Sequence, residues 1–398
     1  MILTINGGSS SIKFALFEVD NSPEKVCYGQ LTRVGTTGTR FTVNSDATSL
    51  PVTATTYKGA IDFLVEWLEQ NITFSDVKAI GHRIVHGMQH TEPSLIDAEL
   101  LKDLKNIGAY DPDHLPFEIL LIEGFKKNHA EISQFACFDT DFHKDMPQVA
   151  KLLPIPRRFD RSGIHRYGFH GLSYHYLMQE LEHLAGRQIA DGRIIITHLG
   201  NGASLAAIKH GKSVDTSMGF TPDSGVPMST RTGDLDPGVA WFMIKSEQLT
   251  PKQFNHLISS ESGLLGISET SGDMHDLLEL EATDIRAAEA VSLFCYQVKK
   301  WIGSFAAALG GLDTLIFTGG IGENAPSIRA RICEGLGFLG VELNDERNQK
   351  NAHFISAANG VSVRVMHTDE EMMIAKLVCD RMDLTTTQKQ NTKDIHHA

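Results

Sequence analysis

Met1-Ile2-Leu3-Thr4-Ile5-Asn6-Gly7-Gly8-Ser9-Ser10-Ser11-Ile12-Lys13-Phe14-Ala15-Leu16-Phe17-Glu18-Val19 opens the chain, two apolar runs around a loop of glycines and serines. The runs at 1–5 and 12–19 are β-branched and apolar enough for buried strands, which predicts strand, loop, strand. The loop between them suits an anion. Gly7 and Gly8 let backbone N–H groups approach closely, Ser9, Ser10 and Ser11 can donate to oxygens, and Lys13 adds a mobile positive charge. Taken alone, the same residues also make an ordinary β-turn. The rest of the chain decides between the two.

The design recurs. Arg193-Ile194-Ile195-Ile196-Thr197-His198-Leu199 reads as a strand, Gly200-Asn201-Gly202-Ala203-Ser204 as a second glycine-hydroxyl loop, and Leu205-Ala206-Ala207-Ile208-Lys209 as a returning strand. Further along each half, helix, strand and glycine-bearing loop follow in the same order. In the first half these are a helix at 57–70, a strand at 76–80 and the loop Gly81-His82-Arg83-Ile84-Val85-His86-Gly87. In the second they are a helix at 286–309, a strand at 314–318 and the loop Gly319-Gly320-Ile321-Gly322-Glu323-Asn324. Two related α/β domains facing each other across a nucleotide cleft are expected. The first comprises residues 1–145 and 374–398, and the second residues 146–373. Helices are further expected at 97–108, 116–127 and 372–382, a strand at 134–138, and a frayed polar tail from Thr385.

Composition agrees with a two-domain enzyme. The chain has 398 residues, of which 41% are hydrophobic and 21% charged, as in globular proteins generally. A net charge of −13 argues against tracking nucleic acid or anionic lipid, so any anion site must be local. Five cysteines at 27, 137, 295, 333 and 379 form no C-x-x-C pair and read as reduced thiols. No apolar run reaches the roughly 18 residues needed to span a bilayer, so a cytoplasmic protein is expected.

Polar residues gather in loops after strands, where open α/β sheets hold ligands. Arg83 follows one strand and Asp139 another. Tyr167-Gly168-Phe169-His170-Gly171 adds a histidine, and the long aperiodic stretch 218–237 surrounds Arg231 with prolines, hydroxyls and aspartates. Aperiodic loops of that length usually bind something. Two arginines, an acid and hydroxyl loops suit phosphoryl transfer, which is mostly positioning and charge neutralisation. An acceptor hydroxyl would require a base. A carboxylate is already ionised at neutral pH, and the planar fork of arginine fits both it and a phosphoryl group.

Nearly the whole chain resembles the acetate kinase family of short-chain acyl kinases for acetate, propionate and butyrate. Asn6-Gly7-Gly8-Ser9-Ser10-Ser11-Ile12-Lys13 and the stretch 216–237 are similar to its two signatures. Gly81-His82-Arg83-Ile84-Val85-His86-Gly87, Phe138-Asp139-Thr140, Tyr167-Gly168-Phe169-His170-Gly171, His198-Leu199-Gly200-Asn201-Gly202, Gly320-Ile321-Gly322-Glu323-Asn324 and Thr368-Asp369-Glu370-Glu371 match further blocks in order. The resemblance implies two duplicated ribonuclease-H-like lobes of the actin, hexokinase and Hsp70 type, a homodimer, ATP as co-substrate, and Mg2+ or Mn2+ as cofactor. It implies that Arg83 and Arg231 grip the carboxylate and the moving phosphoryl group, that Asp139 orients the arginines, and that His170 stabilises the transition state. Val85, Phe169 and Pro222 would form the alkyl pocket. Asn6, Ser9, Ser11, Lys13, His198, Asn201 and Gly202 would surround the phosphates. Asp273, His275, Gly320, Ile321, Gly322 and Asn324 would meet the nucleotide, and Asn6 and Glu370 the metal.

Some positions depart from the pattern. Asp223-Ser224-Gly225 stands where Leu-Glu-Gly is usual, Ser229 where glycine is, Asp113 where an apolar pocket residue is, and His275 where arginine is. An aspartate beside a carboxylate repels it unless paired or turned outward. Another carboxylate, another donor such as pyrophosphate, or a non-catalytic nucleotide sensor of the same fold are the alternatives. Gly320-Ile321-Gly322 also echoes a dinucleotide turn, but Ala325 takes the position of its last glycine.

Overall fold

A computed structural model describes residues 1–8, 10–44, 49–108, 110–357 and 360–384. The chain divides into two units, Met1–Asp141 with the segment from Asp369 onward, and Phe142–Thr368. The crossings therefore fall at 141/142 and 368/369 rather than at 145/146 and 373/374. Each unit is built on one mixed sheet.

In the first unit the strands are β1 (Ile2–Gly7), β2 (Ser11–Val19), β3 (Pro23–Thr32), β4 (Arg40–Val43), β5 (Leu50–Pro51), β6 (Ala79–Ile84), β7 (Ser94–Leu95) and β8 (Ser133–Phe138), in the order β5-β4-β3-β2-β1-β6-β8-β7. In the second they are β9 (Arg193–Leu199), β10 (Ala203–Lys209), β11 (Lys212–Thr216), β12 (Thr314–Thr318) and β13 (Ser362–Val365), in the order β11-β10-β9-β12-β13. The shared plan is clear strand by strand. β1 pairs antiparallel with β2 and parallel with β6, β2 antiparallel with β3, and β6 parallel with β8. β9, β10, β11, β12 and β13 repeat those pairings in the same sense. This is the duplicated α/β architecture expected from the two hairpins.

Burial explains which segments became strands. β1 is buried at every residue and lies in the middle of its sheet. Helices Tyr57–Asn71 and Leu115–Asn128 cover one face through Ile61, Leu64, Leu68, Leu121 and Phe125. Helix Glu370–Arg381 covers the other face so closely that a Cβ at Gly81 would lie 2.4 Å from a methyl of Ile374. In the second unit, helix Gly171–Ala185 buries Tyr174, Leu177 and Leu181 against Ile194, Ile196 and Ile208. The long helix Ile285–Leu309 buries Val291, Phe294, Val298, Ile302 and Phe305.

Two sequence expectations need correction. Residues 81–84 are not loop but belong to β6, so Arg83 projects from a central strand. Gly319–Asn324 is a helix rather than a loop: the Glu323 carboxylate reaches back to accept from the Thr318 hydroxyl and the Gly319 N–H, satisfying one of the open N–H groups at its start. Pro23–Thr32, for which the sequence names no element, is a ten-residue strand. The tail from Thr385 and the loop residue Ser9 lie outside the described residues. No described helix is long and apolar enough to cross a membrane.

Candidate active site

The parallel strands of the first unit deliver polar side chains at or near their carboxyl ends, where backbone groups run out of ladder partners. β1 supplies Asn6, β6 supplies Arg83, and Asp139 follows β8, its N–H donating to the Ile84 carbonyl at 2.9 Å. Arg83 donates to one oxygen of Asp139 through Nε at 3.0 Å and Nη2 at 2.6 Å, and its Nη1 donates to Asn6 Oδ1 at 3.3 Å. Asn6 Nδ2 in turn donates to Glu370 Oε2 at 2.9 Å and Glu371 Oε1 at 3.0 Å. Asn6, Arg83, Asp139 and Glu370 thus form one cluster.

Its electrostatics follow from burial and charge pairing. Burial opposes the Arg83 cation, but Asp139 and Glu370 outweigh burial and push the guanidinium above its ordinary pKa. Asp139 has no exposed surface; burial raises its carboxyl above the usual range while Arg83 pulls it down. The short contact keeps the pair ionised at neutral pH.

Val85 follows β6 and is buried. Its N–H donates to both oxygens of Glu118, at 3.1 and 3.2 Å. Burial and the nearby Asp111 push the Glu118 carboxyl well above its ordinary value. Nothing in the sequence marked Glu118, which sits on a helix among apolar residues. Ser11 begins β2, and Lys13 is exposed on it, opposite Asn6 in register. Asp113 is half-buried.

In the second unit, Gly168, His170, His198, Gly202 and Arg231 come together. Gly168 has φ +78°, and a Cβ there would lie 2.5–2.6 Å from Thr216 and His143. Only glycine fits so tight a bend. Phe169 is buried behind it, and its carbonyl accepts from His143 Nε2 at 3.2 Å. Burial drops His143 to about 3, so it is a neutral prop. His143 is a second supporting residue that sequence reading did not single out. His170 stacks on His198 with ring centres 4.2 Å apart. A Cβ at Gly202 would lie 3.3 Å from His170 Nε2 and 3.6 Å from Arg231 Nη1, so both nitrogens face the Gly202 backbone.

Residues 217–236 contain no regular element, yet the stretch is pinned. The Asp234 N–H donates to the Gly225 carbonyl, the Gly225 N–H donates to Asp234 Oδ1, and the Met228 N–H donates to the Arg231 carbonyl. The departures have structural partners. Asp223 Oδ1 lies 3.5 Å from Arg231 Nε, while Arg231 Nη1 donates to the Pro222 carbonyl at 3.3 Å. Ser229 donates to the Gly272 carbonyl at 2.7 Å, and its N–H donates to the Asn201 carbonyl at 3.2 Å. Ser229 therefore ties the Asn201 turn to the segment entering Asp273.

Asp273 caps helix Met274–Leu280 by accepting from the His275 N–H, and both side chains are exposed. Gly320, Ile321, Gly322 and Asn324 share helix Gly319–Asn324, whose Gly320 N–H lies near Gly200. Arg329, fully buried, donates to the carbonyls of Gly322 and Glu323 at that helix's end.

The model of the acetokinase family matches residues 1–376. The chain belongs to the acetokinase family. An acetate kinase of Rhodopseudomonas palustris strain TIE-1 is 41% identical over 390 residues, covering 95% of this chain and 97% of the relative. A propionate kinase of Citrobacter koseri is 41% identical over 384 residues, covering 94% and 95%. The crystal structure of a propionate kinase from Francisella tularensis superposes with TM-score 0.88 at 34% identity, covering 94% of this chain and 98% of that one. As an acetokinase, the chain is a phosphotransferase with a carboxyl group as acceptor.

A divalent cation finds suitable donors in the first unit. Asp139 Oδ1 is buried without a hydrogen-bond partner, and Glu370 and Asn6 add further oxygens beside it. Among the described residues no three acidic, histidine or cysteine side chains gather tightly enough to cage an ion. Magnesium suits such a place, because it binds through one or two carboxylates, phosphate oxygens and water.

Proposed function

We propose that the protein catalyses reversible in-line transfer of the γ-phosphoryl group of ATP to acetate, giving acetyl phosphate and ADP. Family membership supports the reaction class, and the Arg83–Asp139–Asn6–Glu370 cluster carries the reading of the site. Asp139 occupies two of the N–H groups of Arg83 and fixes the plane of its fork. The rest of the fork serves the carboxylate and the transferring group. Arg231 supplies the second cation, and His170 donates to the equatorial oxygens. Val85, Phe169 and Pro222 bound the methyl group. Asn6, Ser9, Ser11, Lys13, His198, Asn201 and Gly202 hold the phosphates, and Asp273, His275, Gly320, Ile321, Gly322 and Asn324 the nucleoside.

Glu370, Asn6 and Asp139 would hold Mg2+, or Mn2+ in its place, directly or through water; when bound, the ion neutralises phosphate charge. No protein base is needed, because the acceptor is ionised at neutral pH. No covalent intermediate is needed either. We place the enzyme in the cytoplasm as a homodimer that binds neither nucleic acid nor membrane. Trp241 and Phe242 on helix Pro237–Ser246 and Tyr296 on helix Ile285–Leu309 are exposed at 65%, 69% and 59%, which supports a buried partner surface.

Propionate is the acceptor to test beside acetate, since relatives named for each are equally similar. A panel of acetate, propionate, butyrate and a hydroxy acid, each with ATP or pyrophosphate, is read as acyl hydroxamate. The proposal expects ATP with acetate to give the highest kcat/KM. Transfer to none of these acids would contradict it.

A further inference from the structure

The first turn of helix Gly171–Ala185 ties down both histidines of the second unit. Ser173 Oγ is 2.9 Å from His198 Nδ1 and 2.8 Å from Thr368 Oγ1. One residue on, the hydroxyl of the fully buried Tyr174 is 2.5 Å from Ser204 Oγ, which is 2.9 Å from His170 Nδ1. Two hydroxyl–hydroxyl–imidazole chains, Tyr174–Ser204–His170 and Thr368–Ser173–His198, therefore run side by side. Each meets its ring at Nδ1, and the rings stack with an interplanar angle of 18°.

A serine hydroxyl has a single proton to give. When its oxygen accepts from a second hydroxyl, that proton is free for the imidazole, and Nδ1 becomes an acceptor. The ring is then neutral with its own proton on Nε2. In His170 this is the nitrogen that faces Gly202 and the Arg231 side. The backbone of His170 lies in the left-handed region, φ 59° and ψ 24°, a conformation that non-glycine residues adopt mainly where the surroundings enforce it.

We infer that Tyr174 and Ser204 are positioning residues that hold His170 as the Nε2–H tautomer, an oriented donor to the moving phosphoryl group; Thr368 and Ser173 do the same for His198. The inference rests on the kinase reading for its purpose but not for its measurement. A ring free to exchange tautomers would present a donor only part of the time, and the loss would appear in the transition state rather than in substrate binding.

The test uses the full-length protein. Tyr174→Phe keeps the buried ring and removes only the hydroxyl; Ser204→Ala removes the next link. Steady-state kinetics and nitrogen–proton correlation spectra of the imidazole rings are compared with wild type, with thermal unfolding as the check on folding. We expect kcat to fall about tenfold, the size of one such lost hydrogen bond, with both KM values within about twofold. The His170 spectrum should change from the Nε2–H form to a mixture. Unchanged kcat and unchanged tautomer in both variants would overturn the inference. So would a wild-type His170 protonated on Nδ1, which needs no variant to observe. Wild-type protein that forms no acyl phosphate would instead sink the kinase reading, and the tautomer measurement would still decide this one.

Discussion

At the residue scale, positioned charge is what distinguishes this site. Removing one cation should therefore cost far more in turnover than in binding. Arg231→Ala should lower kcat by about 10³ or more, with ATP affinity nearly unchanged, measured by hydroxamate formation and nucleotide titration. Asp223 sits against Arg231 where the family pattern has an apolar residue, so under the proposed function it would compete with the incoming carboxylate for that guanidinium. Asp223→Asn should lower the KM for acetate up to about fivefold while kcat stays within about twofold. A rise in KM would show that Asp223 orients Arg231 instead. Glu118 gives a pH signature. Its folded pKa is raised, so wild type loses stability as pH climbs from the unfolded value of 4.5 toward the folded one. The neutral Glu118→Gln should gain on wild type by up to about 1.4 kcal/mol per pH unit between those two values and no further above the folded one, in denaturant unfolding. Asp139 stands out in the sequence at the end of an apolar strand, Arg83 in a glycine- and histidine-bearing segment, His170 in a glycine loop and Arg231 in an aperiodic stretch, and the roles proposed for them come from the family resemblance. Glu118 and His143 do not stand out. Each acts through a backbone group, the Val85 N–H or the Phe169 carbonyl, and residue type does not reveal such a bond.

At the element scale, the strongest segments were read correctly and the misreadings share one cause. β9 and β12 have apolar centres, Ile194–Ile196 and Leu315–Phe317, and were located residue for residue. β6 contains glycine, histidine and arginine, a composition that reads as loop, and it is a strand because β1 and β8 flank it on both sides. Helix Gly319–Asn324 has three glycines, poor helix formers, and is held by Glu323 at one end and Arg329 at the other. β3 has alternating half-exposed residues and contains Gly29, whose missing side chain admits the ring of Phe14. Tertiary contact overrode local preference in β6 and in helix Gly319–Asn324. Gly81 offers a measurement of that coupling. A Cβ there would press on Ile374 and Val378 of the helix that begins at Glu370, so Gly81→Ala should destabilise the protein by about 1–3 kcal/mol in thermal or denaturant unfolding.

For the whole molecule, the duplication was legible because both halves begin with the same strand, glycine-hydroxyl loop and strand. The repeated strand order and the repeated parallel and antiparallel pairings follow from that beginning. What the repeat did not predict is the division of labour. The first unit carries the Arg83–Asp139 pair with its surrounding carboxylates, and the second carries the paired histidines and the pinned Arg231 segment. Acyl phosphate formation reports on phosphorylation of a short-chain carboxylate without intermediate steps. Purified protein with ATP, magnesium and acetate is trapped with hydroxylamine, with Arg231→Ala in parallel. Acetyl hydroxamate should grow with time, require ATP, and be nearly abolished in the variant. ATP binding with no hydroxamate from acetate, propionate or butyrate would contradict the proposed phosphoryl transfer.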